Sequence, residues 1–219
     1  IPIRKMSIES AEMAKISINS YITSKISFAN AIGLTAESIN NCSPNDVLSA
    51  IGSDSRIGNK YLSKGLGFGG PCFPRDNRAI QQVINRTENL NYHLPIDNEI
   101  FNKELPNFYA NKIETLCNEK NINNILIVGL TYKDGSHLLE ESQAYSIALK
   151  LASLKKVFYF DPDAPSIGLE KNLILFEEKS DIQGALLLLN CSRDFKKIEI
   201  VKKVINKRNK DFFEVNIWE

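Results

Sequence analysis

The sequence predicts two folds in series: an all-helical first half to about residue 118, then a small doubly wound α/β half built on a parallel sheet. Three observations predict it. Apolar residues of the first half recur at three- and four-residue steps. A glycine-dense segment, 52–76, then interrupts the helical pattern. After Asn121 the period changes to short continuous apolar runs of the kind that fill a sheet covered on both faces. The 219 residues suit one large domain or two small ones at roughly 150 residues per domain. Divided at 118, the chain gives domains 1–118 and 119–219.

The first element is a single long helix over 7–38. Ile8, Ala11, Ala14, Ile18, Tyr21, Ile22, Phe28, Ala29 and Ile32 keep the helical step with no proline among them, and Ser7 is placed to cap the start. So long a helix spans a domain or builds a subunit interface. Ser43 before Pro44 marks a second, shorter helix to about 51. The segment 52–76 carries Gly52, Gly58, Gly65, Gly67, Gly69 and Gly70 with Pro71 and Pro74, and reads as a loop. Loops beyond about 12 to 15 residues in a compact domain are functional or disordered, and Tyr61, Phe68 and Phe73 argue for function. Pro74 opens a helix to about 86, and another runs over 95–119 with Pro106 expected to bend it. Residues 124–130, 157–160, 173–176, 185–190 and 212–215 read as strands, with helices over 142–154 and 195–207.

Composition excludes several classes. Hydrophobic residues are 43% and charged residues 24%, close to the globular average, which argues against disorder, collagen and coiled coil. With 27 Lys+Arg against 26 Asp+Glu, no global field holds a nucleic acid or an anionic membrane. The longest apolar run, 185–189, is far below the roughly 20 residues that cross a bilayer. Cys42, Cys72, Cys117 and Cys191 form no C-x-x-C pair and lie apart from His93 and His137. That predicts free thiols in a reducing cytoplasm and no metal site. Ile1 in place of Met predicts a chain cut from a longer polypeptide.

The ten residues 67–76, Gly-Phe-Gly-Gly-Pro-Cys-Phe-Pro-Arg-Asp, carry the most chemistry. Glycines let backbone amides approach a ligand, and Pro74 opens a helix whose positive end lies beside Cys72. A thiol at a helix start next to Arg75 is placed to act as a thiolate nucleophile. The residues alone leave a second reading open, a small buried hydrophobe. Lys15 and Asn19 fall on one helix face, where an amine and an amide can converge on one oxyanion.

Residues 56–62, Arg-Ile-Gly-Asn-Lys-Tyr-Leu, followed by 67–76 and preceded by Ala11-Glu12-Met13-Ala14-Lys15 and Asn19, resemble the UDP-glucose/GDP-mannose dehydrogenase family over nearly the whole chain. The resemblance implies a central helical dimerisation domain and a C-terminal nucleotide-sugar-binding domain, the latter Rossmann-like. It also implies an N-terminal NAD domain lying outside this sequence, which contains no G-x-G-x-x-G. The implied reaction oxidises the C6 alcohol of UDP-glucose to a carboxylate with two NAD⁺.

In that scheme Cys72 holds the oxidised carbon as a thiohemiacetal and then a thioester. Lys15 and Asn19 stabilise an oxyanion, and Asp76 assists proton movement or orients water. Arg56 reaches into the neighbouring subunit's site of a homodimer formed through the long helix. Tyr61, Leu62, Ser63, Lys64, Gly65, Phe68 and Gly69 wrap the sugar and diphosphate, with Phe73 shaping the pocket. Tyr132 and Lys133, at the carboxyl end of the first strand, suit the diphosphate. Arg75 is the residue of this chain expected to contact NAD.

Three departures from the family pattern stand out. Glu140 occupies a position where the family carries an arginine used for NAD, Gln143 replaces a proline, and Val215 precedes Asn216 where the family places a nucleotide-contacting arginine. They admit two alternatives: a non-catalytic binding or oligomerisation module of the same family, or a dehydrogenase for GDP-mannose or a UDP-N-acetylhexosamine.

Overall fold

The computed structural model describes residues 3–165, 170, 172–207 and 212–219. The chain forms two compact units. The first comprises Ile1–Ser63 and Pro71–Asn102, the second Lys64–Gly70 and Lys103–Glu219.

The first unit is helical. Helix α1 (Ile8–Glu37) runs 30 residues, about 45 Å at 1.5 Å per residue. The Ser7 hydroxyl caps it by accepting from the Ser10 amide at 3.2 Å. Helix α2 (Pro44–Ser53) is capped in the same way by Ser43, with Pro44 in its first turn. Helix α3 (Phe73–Ile84) follows the long loop, and α4 (Leu94–Glu119) opens in this unit and continues into the second. Pro106 lies inside α4 without ending it. The boundary expected at 118 falls at the far end of this helix.

The faces of α1 are distributed unlike those of an ordinary amphipathic helix. Its buried residues are small or polar: Ser20, Thr23, Ser27, Ala29, Asn30, Gly33 and Ala36. Of the large apolar residues that announced the helix, Ile22 and Ile32 are half-buried, while Ile18, Tyr21 and Phe28 point outward, 59%, 66% and 48% exposed. Ala29 and Ile32 pack with Leu48, Ile51 and Leu62, and polar bonds tie α1 to α3 and α4. The Thr23 hydroxyl lies 3.0 Å from Asn77 Oδ1, and Asn98 donates to Ser24 Oγ at 2.8 Å.

Among the described residues of the second unit, five strands form one parallel sheet: β1 (Asn124–Val128), β2 (Lys156–Phe160), β3 (Leu173–Leu175), β4 (Leu186–Asn190) and β5 (Phe212–Asn216). Their order is β3-β2-β1-β4-β5. Helix α5 (Gln143–Ala152) connects β1 to β2, and α6 (Phe195–Lys207) connects β4 to β5. The chain thus winds outward from β1 in one direction and from β4 in the other, the doubly wound arrangement. Every residue of β1 and β4 is buried. On one face Leu126, Val128, Leu186 and Leu188 pack with Ile198, Val201 and Ile205 of α6. Among the described residues no helix is long and apolar enough to cross a membrane.

Strand β1 stops two residues before the end of its apolar run. Gly129 takes a positive φ of 89°, and its amide bonds the Phe160 carbonyl. The next two amides, of Leu130 and Thr131, donate to Asp161 Oδ2 at 2.7 and 3.0 Å. A side chain thus takes the place of a neighbouring strand.

Candidate active site

Within the first unit, α1 and α3 bring three of the expected residues together. Lys15 and Asn19 stand one turn apart on α1, which places them on one face. Both donate to the same atom, Asp76 Oδ2, Asn19 Nδ2 at 2.6 Å and Lys15 Nζ as an ion pair. The other carboxylate oxygen accepts from Arg75 Nε at 3.1 Å. Asp76 lies in the first turn of α3, where the helix dipole favours an anion, and is 2% exposed. Burial pushes its carboxyl up. The bonds from Lys15, Asn19 and Arg75, with the Lys15 charge, outweigh that, so the net shift is below the ordinary carboxylate value.

Cys72 occupies the N-cap position of α3 and makes no side-chain capping bond. Its carbonyl accepts the Asp76 amide at 2.9 Å, so thiol and carboxylate belong to successive ends of one helical turn. Of the four cysteines Cys72 alone is exposed. Cys117 and Cys191 are buried, and burial raises both of their thiol pKa values. A reagent or substrate in solvent therefore meets Cys72 first.

The rest of the long loop is shared between the units. Arg56 is exposed and forms a two-point pair with Asp54, Nε to Oδ1 at 3.0 Å and Nη2 to Oδ2 at 2.6 Å. Tyr61 is exposed with φ 63°. Leu62 and Ser63, with Asn45, Leu48, Ser49 and Gly52, line a cavity of about 350 Å³ in the first unit. Phe73 is the half-buried first residue of α3.

The segment Lys64–Gly70 belongs to the second unit, and there its glycines approach protein. A Cβ on Gly65 would lie 2.0 Å from the Trp218 ring, one on Gly69 2.3 Å from the Glu141 carbonyl, and one on Gly70 2.5 Å from the Tyr132 ring. The Gly65 carbonyl accepts from Tyr109 at 2.9 Å, and the Gly70 amide donates to the Glu140 carbonyl at 3.0 Å. Lys64 and Phe68 are buried. Glu140 and Glu141 thus serve this packing through their backbone carbonyls, whatever their side chains do.

Tyr132 and Lys133 follow β1, as the sequence predicts, at the carboxyl edge of the sheet. Tyr132 is half-buried, and Lys133 is exposed with Nζ 5.5 Å from the Tyr132 ring centre. Two more features of this edge escape sequence reading. Arg193 stacks on Trp218 at 4.0 Å, and Lys197 is buried among carboxylates. The signal for the second was faint: the Asp161-Pro162-Asp163 run that closes β2.

Residues 9–101 match the central domain of the UDP-glucose/GDP-mannose dehydrogenase family. The UDP-glucose 6-dehydrogenase of Rickettsia conorii is 34% identical over 95% of this chain and 46% of its own length. UDP-glucose 6-dehydrogenase TuaD of Bacillus subtilis is 30% identical over 92% of this chain and 45% of its own length. The chain therefore spans less than half the length of the curated relatives it matches. Among solved structures, a UDP-glucose dehydrogenase from the archaeon Pyrobaculum islandicum shares the fold, with a TM-score of 0.74 and 24% identity. That likeness covers 98% of this chain and 49% of the other.

Proposed function

We propose that this chain, which belongs to the UDP-glucose/GDP-mannose dehydrogenase family, carries the thiol chemistry and the nucleotide-sugar grip of an NAD-dependent UDP-glucose 6-dehydrogenase. One observation carries the reading: an exposed thiol at the start of α3, one turn from a buried carboxylate that gathers Lys15 and Asn19. A purely binding module has no use for an accessible thiol one helical turn from a carboxylate that holds an amine and an amide.

In the proposed reaction Cys72 Sγ adds to the C6 aldehyde and its proton passes to the carbonyl oxygen, giving a thiohemiacetal. Loss of a hydride from that carbon and of a proton from its hydroxyl oxygen leaves a thioester, and water then releases the carboxylate and restores the thiol. NAD⁺, when bound, would supply a two-electron acceptor for each of the two oxidations, the C6 alcohol to the aldehyde and the thiohemiacetal to the thioester. Arg75 is the residue here that fits a pyrophosphate, because its side chain remains 63% exposed while its guanidinium holds Asp76. Lys15 and Asn19 present an ammonium and an amide to the oxyanion that develops on the substrate. Asp76 keeps both side chains on one point and, ionised, can orient the hydrolytic water.

The second unit takes the nucleotide. Lys133 beside Tyr132, at the end of β1, offers a cation and a ring at the place where parallel sheets hold ligands. The outward apolar stripe of α1, Ile18, Tyr21 and Phe28, is the face we assign to a homodimer, with Arg56 directed to the neighbouring subunit. Free thiols suit the reducing cytoplasm.

The test is NAD⁺ reduction by the full-length protein. Turnover with UDP-glucose is the expected result. Silence with UDP-glucose, GDP-mannose and UDP-N-acetylhexosamines alike overturns the enzyme reading, and turnover with one of the others alone reassigns the substrate.

A further inference from the structure

Lys197, in the first turn of α6, is 4% exposed and has three carboxylates around its ammonium. Its Nζ lies 2.7 Å from Asp161 Oδ1, 2.7 Å from Asp163 Oδ2 and 3.0 Å from Asp134 Oδ1. An ammonium has three donors, so each finds one acceptor. Burial opposes the charge on Lys197, yet the three carboxylates raise its pKa overall, so it stays protonated.

Each carboxylate in turn ties down backbone. Asp161 takes the Leu130 and Thr131 amides after β1, and Asp163 takes the Gly135 amide at 2.8 Å. Asp134 takes the Ser192 hydroxyl at 2.6 Å, then the Arg193 and Asp194 amides at 2.9 and 3.1 Å, after β4. One buried charge thus joins the loops after β1, β2 and β4. Strands β1 and β4 flank the point where the winding reverses, the ligand crevice of such sheets.

We infer that Lys197 is a positioning residue that fixes the β1 loop carrying Tyr132 and Lys133 in the form that accepts a nucleotide diphosphate. This rests on the proposed function. Without the ammonium, three carboxylates crowd one another, the loops separate, and an uncompensated negative charge faces the diphosphate. A base or ribose contact feels none of that repulsion.

The experiment uses full-length protein and Lys197→Met, with UDP and uridine as probes in calorimetry and competition. Peptides covering 129–136 and 191–195 are followed by amide exchange. The expected result is a UDP Kd raised at least about 10-fold with the uridine Kd held within twofold. Both peptides exchange faster while β1 keeps its protection. Lys197→Met/Asp163→Asn, with one carboxylate neutralised, recovers part of the UDP affinity. Should Lys197→Met not fold, Lys197→Gln serves: it keeps a donor among the three carboxylates while removing the positive charge, and is expected to free both peptides and weaken UDP over uridine. Equal loss of UDP and uridine, or unchanged UDP affinity in a protein that binds UDP, overturns the role of Lys197 alone. A wild-type protein that binds no UDP overturns the nucleotide reading and the positioning role with it.

Discussion

Asn19 and Asp76 lie 57 positions apart in sequence and 2.6 Å apart in space, and Lys15 meets the same carboxylate oxygen. The group that fixes the amine and amide is therefore an anion on the helix that begins at Cys72. Asp76→Asn keeps the shape and removes the charge. We expect kcat to fall about 100-fold, with KM little changed, in steady-state assays of the full-length enzyme. An unaltered kcat would restrict Asp76 to a structural part.

Cys72→Ser is expected to lower turnover by at least about 1000-fold, the scale on which a covalent nucleophile matters. UDP-glucose affinity by calorimetry should stay within twofold. Alkylation mapped by mass spectrometry should reach Cys72 ahead of buried Cys117 and Cys191. Equal labelling of all three would contradict the exposure on which the mechanism leans.

Acid should unfold the protein through Asp76 and Asp161. Burial pushes both carboxyls up, and their hydrogen bonds and cations pull each below 3.8, the ordinary value. A depressed folded pKa gives stability that is complete above the unfolded pKa and lost as pH drops through the folded one. The Tm should therefore hold level down to about pH 4 and fall beneath it. Asp161→Asn should blunt that acid limb in a series of thermal melts.

Two glycines of the loop should respond differently to a methyl group. At Gly65 a Cβ would enter the Trp218 ring, at 2.0 Å, so Gly65→Ala should cost about 1–3 kcal/mol. At Gly58, with φ 71° and open space around it, Gly58→Ala should cost about 1 kcal/mol from backbone strain alone. Denaturant titrations measure both, and equal costs would mean that the segment Lys64–Gly70 does not pack on Trp218 in solution.

Much of this was legible in the residues, for reasons that can be named. Strands β1 and β4 are continuous apolar runs because both faces are covered, and Ser7, Ser43 and Ser142 each cap the helix they precede. Lys15, Asn19 and Asp76 could be grouped because a motif binds them. The facing of α1 could not be read, since periodicity reveals a stripe without saying what covers it. The loop glycines suggested a ligand cradle, whereas Gly65, Gly69 and Gly70 admit Trp218, Glu141 and Tyr132. Lys197 and its carboxylates lie scattered over 63 positions, and only the reversal of winding between β1 and β4 gathers them.

Helix α1 buries Ser20, Thr23, Ser27 and Asn30 with a few small apolar residues, and leaves Ile18, Tyr21 and Phe28 to the solvent. Apart from Ala29, Ala36 and half-buried residues such as Ile22 and Ile32, the large apolar surface of this helix stays in water when one chain folds. If that face meets a second copy, as proposed above, thermal midpoints should climb as the chain is concentrated. Dilution would then act on this half of the molecule as a mild denaturant.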